Sequence, residues 1–198
     1  MTTVSTYLRI AGLASVSLLV AAAGCASTPE SAGADASSSS GLDDAQIAAI
    51  VTTANQIDVD NGSLAMERSS NPQVKQFAQR MMDDHTAVNQ AAVDLVTRLG
   101  VTPEETETSR SLAASAQKTR SSMRSLSGAE FDKAYVDNEV AYHAAVIEVL
   151  DSTLIPSAQN EELKAMLVNV RPAFIAHLEH ARSIQAALEG GEASEHAH

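Results

Sequence analysis

Apolar residues recur at three- and four-residue spacings from Leu42 to Glu189, with no alternating strand pattern. This periodicity predicts an all-α domain. Its first stripe is Ile47, Ile50, Val51, Ala54, Ile57, Asp58, Asn61, Leu64 and Ala65, on a helix starting at Asp43 or Asp44 and ending near Ser69. Either aspartate suits the cap, because its carboxylate accepts from the unpaired amides of a first turn. Asn71-Pro72 supplies the turn, with proline at the first helical position. The second stripe is Val74, Ala78, Met81, His85, Val88, Ala92, Leu95 and Leu99, closed by Gly100 as a C-cap.

Val101–Ser127 is polar, with only Leu112, Ala116, Met123 and Leu126 at helical spacing. It reads as a crossover with its own shallow helix over Pro103–Leu126. A third main helix is expected over Ala129–Thr153, with Phe131, Tyr135, Val136, Glu139, Tyr142, His143, Val146, Ile147 and Leu150 inward. Pro156 interrupts the chain. The last helix spans Ala158–Leu188 and turns Leu163, Met166, Val170, Phe174, His177, Ala181, Ile184 and Leu188 inward. Pro172 inside it is expected to kink it or start a second segment. Two helical hairpins joined by a helical crossover are the ferritin-like way of connecting a four-helix bundle, which is the fold expected for residues 42–189.

The ends read differently. Residues 1–24 form a short, weakly basic start and an apolar run over Ile10–Ala23, too short to span a membrane comfortably. This is an export signal, and Ala22-Ala23-Gly24-Cys25 resembles a bacterial lipobox whose Cys25 is lipidated. Ordinary cleavage after Ala23 is the rival. The chain has one cysteine, so an intramolecular disulfide is excluded and the fold rests on its core. Residues 25–41, rich in Ser, Ala and Gly, are expected to be a flexible tether, and residues 190–198 a disordered tail. The expected location is the cell envelope, anchored by lipid in the outer membrane and facing the periplasm, since Ala26 is not the Asp that signals inner-membrane retention. A soluble periplasmic protein is the alternative.

The net charge of −12 changes the list of partners. Nucleic-acid binding rewards clustered Lys and Arg, and this chain is expected to have none of it. Anionic lipid heads would repel the surface, so contact with the membrane is left to the lipid anchor. No protein partner is named by the pattern.

Candidate chemistry lies on the apolar seams. His85, His143 and His177 stand one to a helix where Leu, Val, Ala or Phe is expected, and Asp58 and Glu139 share the inward faces. Glu139 and His143 are four apart and point the same way. Counted from Asn71, Asp58 and His85 lie about thirteen residues to either side, level with each other at ~1.5 Å per residue. Glu139 and His177 sit at similar separations on either side of Pro156. Imidazole and carboxylate together suit a divalent transition metal (iron, manganese, zinc or copper). The other reading is a buried hydrogen-bond network, with Tyr135, Tyr142 and Asp84 available as partners for the histidines. The di-iron pattern Glu-x-x-His occurs only at Glu195–His198, in the tail, which argues against a ferroxidase-type centre. No nucleophile triad, phosphate loop or nucleotide-binding glycine motif is present, so no catalytic residue is assigned.

The runs Asp58-Val-Asp-Asn-Gly-Ser-Leu-Ala65 and Val74-Lys-Gln-Phe-Ala-Gln-Arg-Met-Met-Asp-Asp-His85 resemble the opening hairpin of the DUF4142 family of exported bacterial proteins. Phe131-Asp-Lys-Ala-Tyr135, with Glu139 and His143, and Arg171-Pro-Ala-Phe-Ile-Ala-His-Leu178 resemble its second hairpin. The resemblance implies a ferritin-like bundle, often on an envelope lipoprotein, and no settled activity. The family pattern usually has Glu at the position of Asp58 and Gln at that of Glu139.

The expected function is therefore that of an exported envelope protein whose bundle holds one metal ion through Asp58, His85, Glu139, His143 and His177, in metal handling or envelope stress. The alternatives are a non-catalytic interaction module whose polar cluster only sets register, and a redox enzyme using bound iron or manganese.

Overall fold

The computed structural model describes residues 41–195, with side chains described for residues 41–190. The expected export signal, Cys25, nearly all of the tether and the last three residues lie outside the described residues.

Every regular element among the described residues is helical. Helix α1 spans Asp44–Arg68 and α2 spans Pro72–Leu99. Asp43 caps α1, its carboxylate accepting from the Gln46 amide while the Gln46 side chain accepts from the Asp43 amide. Asn71 caps α2 ahead of Pro72, and Gly100 closes it with φ +67°. These are the boundaries that the capping residues predict.

Helix α3 spans Glu107–Met123 and starts later than the expected Pro103. The Glu104 amide donates to the carbonyl of Ala45, which ties this stretch to α1. Thr106 and Ser109 then cap each other's amides. Helix α4 spans Gly128–Val149 and runs into a π-helical turn, Leu150–Leu154, and a short α5, Ile155–Ser157. Pro156 has no amide and its ring crowds the carbonyl four residues back. The chain widens ahead of it, and the Ile155 amide donates to Leu150 instead of to Asp151. A bidentate Arg171–Asp151 pair, at 2.6 and 2.7 Å, ties this turn to the last helix.

Helix α6 spans Glu161–Glu195. It continues through Pro172, and it passes the Leu188 end that the periodicity suggests, so the backbone of 190–195 is helical where an unstructured tail is expected. A glycine ends a helix when it turns left-handed. Among the described glycines only Gly100 and Gly128 have positive φ, so Gly190 offers no such stop.

Helix α1 packs along α2 and α4 along α6, forming two hairpins. The hairpins meet through α2 against α6 and α1 against α4, and α3 lies mainly on α1. Arg68 fastens the crossover by donating to the carbonyls of Arg124 and Leu126. Asp44 accepts from the amides of Gln159 and Asn160, which joins the start of α1 to the start of α6.

The apolar core falls into two clusters. One gathers Leu64, Phe77, Met81, Phe131, Tyr135 and Ile184, and the other Ile47, Ile50, Leu95, Leu150, Leu167 and Phe174. Between them in sequence on their helices lie Asn55, Asp58, Asn61, His85, Glu139, His143 and His177, all buried. Of the expected stripes, Phe77, Val96 and Leu167 are buried additions, while Val88 and Val170 are only half-buried. No described helix is long and apolar enough to cross a membrane.

Candidate metal centre

Five side chains singled out by their seam positions converge. His85 comes from α2, His143 from α4 and His177 from α6, and their ring centroids form a near-equilateral triangle of 5.3, 5.4 and 5.6 Å. One nitrogen from each ring lies within 4.8 Å of the other two. Asp58 from α1 and Glu139 from α4 make a second such group with His143, so His143 belongs to both. His85 Nε2 is 3.5 Å from Asp58 Oδ2, and His143 Nδ1 is 3.6 Å from Glu139 Oε2. Phe174, almost one turn before His177, stacks on His85 at 5.2 Å and closes one side.

Each imidazole is held from outside by an acceptor. His85 Nδ1 bonds Asn55 Oδ1 at 2.7 Å, His143 Nδ1 bonds the carbonyl of Glu139 at 3.0 Å, and His177 Nε2 bonds Asp84 Oδ2 at 2.9 Å. An acceptor on one nitrogen fixes the proton there and leaves a lone pair on the other. Those other atoms, His85 Nε2, His143 Nε2 and His177 Nδ1, are buried and have no hydrogen-bond partner among the described residues. Asp58 Oδ1 and Glu139 Oε2 are in the same condition.

Burial governs the charges. It pushes His85 down to about 2 and His143 to about 4, with the neighbouring imidazoles adding to both shifts. Burial also lowers His177, against the opposing bond to Asp84. All three rings are thus neutral at physiological pH, the form that coordinates metals. Burial raises Asp58 well above the carboxylate range, helped by Glu139, and raises Glu139 to about 7 against bonds from Asp58, Asn138 and Asn61. Each carboxyl therefore resists ionising beside the other. A cation placed among them would offset that resistance.

Asp84, one of the three partners available to the histidines, serves His177. For Asp84, burial opposes ionisation, and bonds from His177 and Arg80 outweigh it to lower the pKa. Tyr142 instead donates to the carbonyl of Ala54 at 3.0 Å, and the Tyr135 hydroxyl has no partner among the described residues. Asn55 was missed by the sequence reading. Its spacing of four from Val51 and three from Asp58 marks the same face and was the available signal.

The donor set is three imidazoles and two carboxyls. It suits a borderline transition ion better than calcium or magnesium, which seek oxygen ligands.

The family model described as "Domain of unknown function (DUF4142)" matches residues 26–184, most of the chain and all five of these side chains. The chain belongs to the DUF4142 family. No curated protein and no solved structure matches this DUF4142 chain. The family description assigns no activity, so the function of this DUF4142 domain rests on its own geometry.

Proposed function

We propose that this protein is an exported envelope protein, anchored through a lipid on Cys25, whose hairpins form a ferritin-like four-helix bundle that holds one divalent transition metal ion. His85 Nε2, His143 Nε2 and His177 Nδ1 supply the nitrogens. Asp58 and Glu139 balance the charge and complete the set. The role that follows is metal holding in the envelope, where an ion kept in a buried site is withheld from uncontrolled redox chemistry.

One observation carries the reading. Each of three buried imidazoles has one nitrogen hydrogen-bonded and the other without a partner among the described residues, and the three rings bring one nitrogen each within 4.8 Å of one another. A network whose purpose was register alone would satisfy both nitrogens of each ring, because a buried polar atom without a partner costs about 1–3 kcal/mol. Two buried carboxyls beside these rings have each other, Asn61, Asn138 and the histidines as described partners, none of them a permanent cation.

The test is metal content by mass spectrometry on protein recovered from a periplasm, with a His85→Ala/His177→Ala sample beside it. About one ion per chain, lost in the double variant while the fold persists, is the expected result. Absence of bound metal from both samples after zinc, iron, manganese and copper supplementation would sink the proposal.

A further inference from the structure

A cavity of about 160 Å³ lies against the polar layer. Its walls come from α1, α2, α3, α4, the π-helical turn and α6, and they are mostly apolar, with Ile50, Val51, Leu112, Val146 and Leu167 among them. Polar side chains enter the wall as Asn55, Asp58 and His85, which adjoin one another, with Tyr142, whose hydroxyl donates to the Ala54 carbonyl, and the exposed Thr108. The space is therefore an apolar chamber with one hydrogen-bonding end.

From this shape we infer that the cavity is a binding site for one small aromatic molecule carrying a single hydroxyl group, of about phenol size. The volume sets the scale, since an apolar cavity of about 150 Å³ admits benzene. The walls set the chemistry. A ligand with several hydroxyls would leave some unpaired against Ile50, Val51 and Leu167. A hydrocarbon would leave the Asp58 end unanswered, and Asp58 Oδ1 is buried and without a partner among the described residues. One hydroxyl at that end and a ring in the rest satisfies both.

The cover on this chamber is light. Helix α3 contributes Thr108 and Leu112, the first exposed and the second half-buried, and it rests on α4 through few residues. Val149 on α4 is 41% exposed at the rim. The exposed Thr108 and Val149 put solvent at the α3 and α4 walls of the chamber.

The site shares Asp58 and His85 with the proposed metal ligands, so it is tested without an ion. The test uses isotope-labelled protein recovered from a periplasm and stripped with a chelator, titrated with phenol and with toluene while backbone amide shifts are followed. Saturable shifts confined to amides around Val51, Leu112 and Val146 are expected, with phenol at least tenfold tighter than toluene. Ala54→Phe, which fills the chamber from α1, is expected to weaken phenol at least tenfold with the melting curve retained. Should that variant fail to fold, Leu112→Phe fills the chamber from α3 and carries the same expectation. No saturation, toluene as tight as phenol, or filling variants that bind phenol normally would each overturn the inference. A zinc titration on the same samples separates the two readings: zinc without phenol leaves the metal proposal and removes this one, and phenol without zinc does the reverse.

Discussion

Asn55 decides which nitrogen of His85 carries the proton. Its side-chain NH2 donates to the carbonyl of Val51 at 2.9 Å, which turns Oδ1 toward His85 Nδ1 at 2.7 Å. An oxygen can only accept, so Nδ1 holds the hydrogen and Nε2 presents its lone pair toward Asp58.

Asn55→Ala is therefore expected to weaken zinc binding by about 10–100-fold, the usual cost of losing a partner that orients a ligand. Zinc competition with a chromophoric chelator measures it. The helical circular dichroism should persist. An affinity equal to that of the parent protein would mean that His85 needs no such support or does not bind the ion.

Glu139→Gln separates charge from shape. Glutamine keeps an oxygen to accept from Asn61, which now bonds Glu139 Oε1 at 3.4 Å. The folded-state pKa of Glu139 is raised to about 7. The stabilisation from holding that proton is complete below the usual carboxylate range and is lost as pH rises through 7. The metal-free variant should melt higher than the parent, by about 3 °C or more at pH 8, and bind zinc at least tenfold more weakly. A variant that melts lower at pH 8 would contradict the assignment of a costly buried charge.

Acid acts through the histidines. His85 and His143 are depressed in the fold to about 2 and about 4, so the unfolded chain binds protons first, near the ordinary imidazole value. Their contribution is present above that value and is lost as pH falls, through 4 for His143 and toward 2 for His85. Each ring held neutral steepens the loss by about 1.4 kcal/mol per pH unit. Between the ordinary carboxylate value and 7 Glu139 acts in the opposite direction, so the decline should be clearest below pH 4.5. Denaturant midpoints taken from pH 7 to pH 3 test this, and replacing both histidines with leucine should flatten the acid limb.

The places where α1 and α2 touch most closely give a stability prediction away from the polar layer. A Cβ on Gly62 would stand 2.8 Å from the Ala78 carbonyl oxygen and 2.8 Å from Met82 Cγ. Met82 can bend away, but the backbone oxygen of α2 cannot without moving the helix. Gly62→Ala is expected to cost about 1–3 kcal/mol, despite the ~1 kcal/mol that alanine gains in helix propensity. Urea unfolding would show it as a lower midpoint at unchanged slope.

Much of the site was legible because a helix preserves spacing. Asp58, His85, Glu139, His143 and His177 each broke an apolar stripe, and counting from Asn71 and Pro156 placed them at similar levels. Asn55 escaped notice because it flanks the stripe, and a polar flank looks like solvent until a partner's ring is known to reach it. Ala54, counted on the stripe, is only half-buried, because the face is rotated toward Asn55. The start of α3 was misplaced for a different reason. Pro103 offered a plausible first turn, while the bond holding Glu104 to Ala45 crosses a long sequence separation that periodicity does not sense. The π-helical turn follows from Pro156 only once α4 is known to continue toward it.

The split of the five side chains between the hairpins has a mechanical meaning. Asp58 and His85 belong to the first, and Glu139, His143 and His177 to the second, so neither hairpin carries a full set. An ion bound by all five would cross-link the two hairpins. Its stabilisation, which grows as RT ln(1 + [ion]/Kd), would fall chiefly on their docking, because the full set forms only when they meet. Withdrawal of the ion would then loosen the seam between the hairpins before it melted a helix. Amide exchange should report this as faster opening where α2 faces α6, with α1 against α2 still protected. The supply of metal around the protein would in that way set how long the two hairpins stay closed.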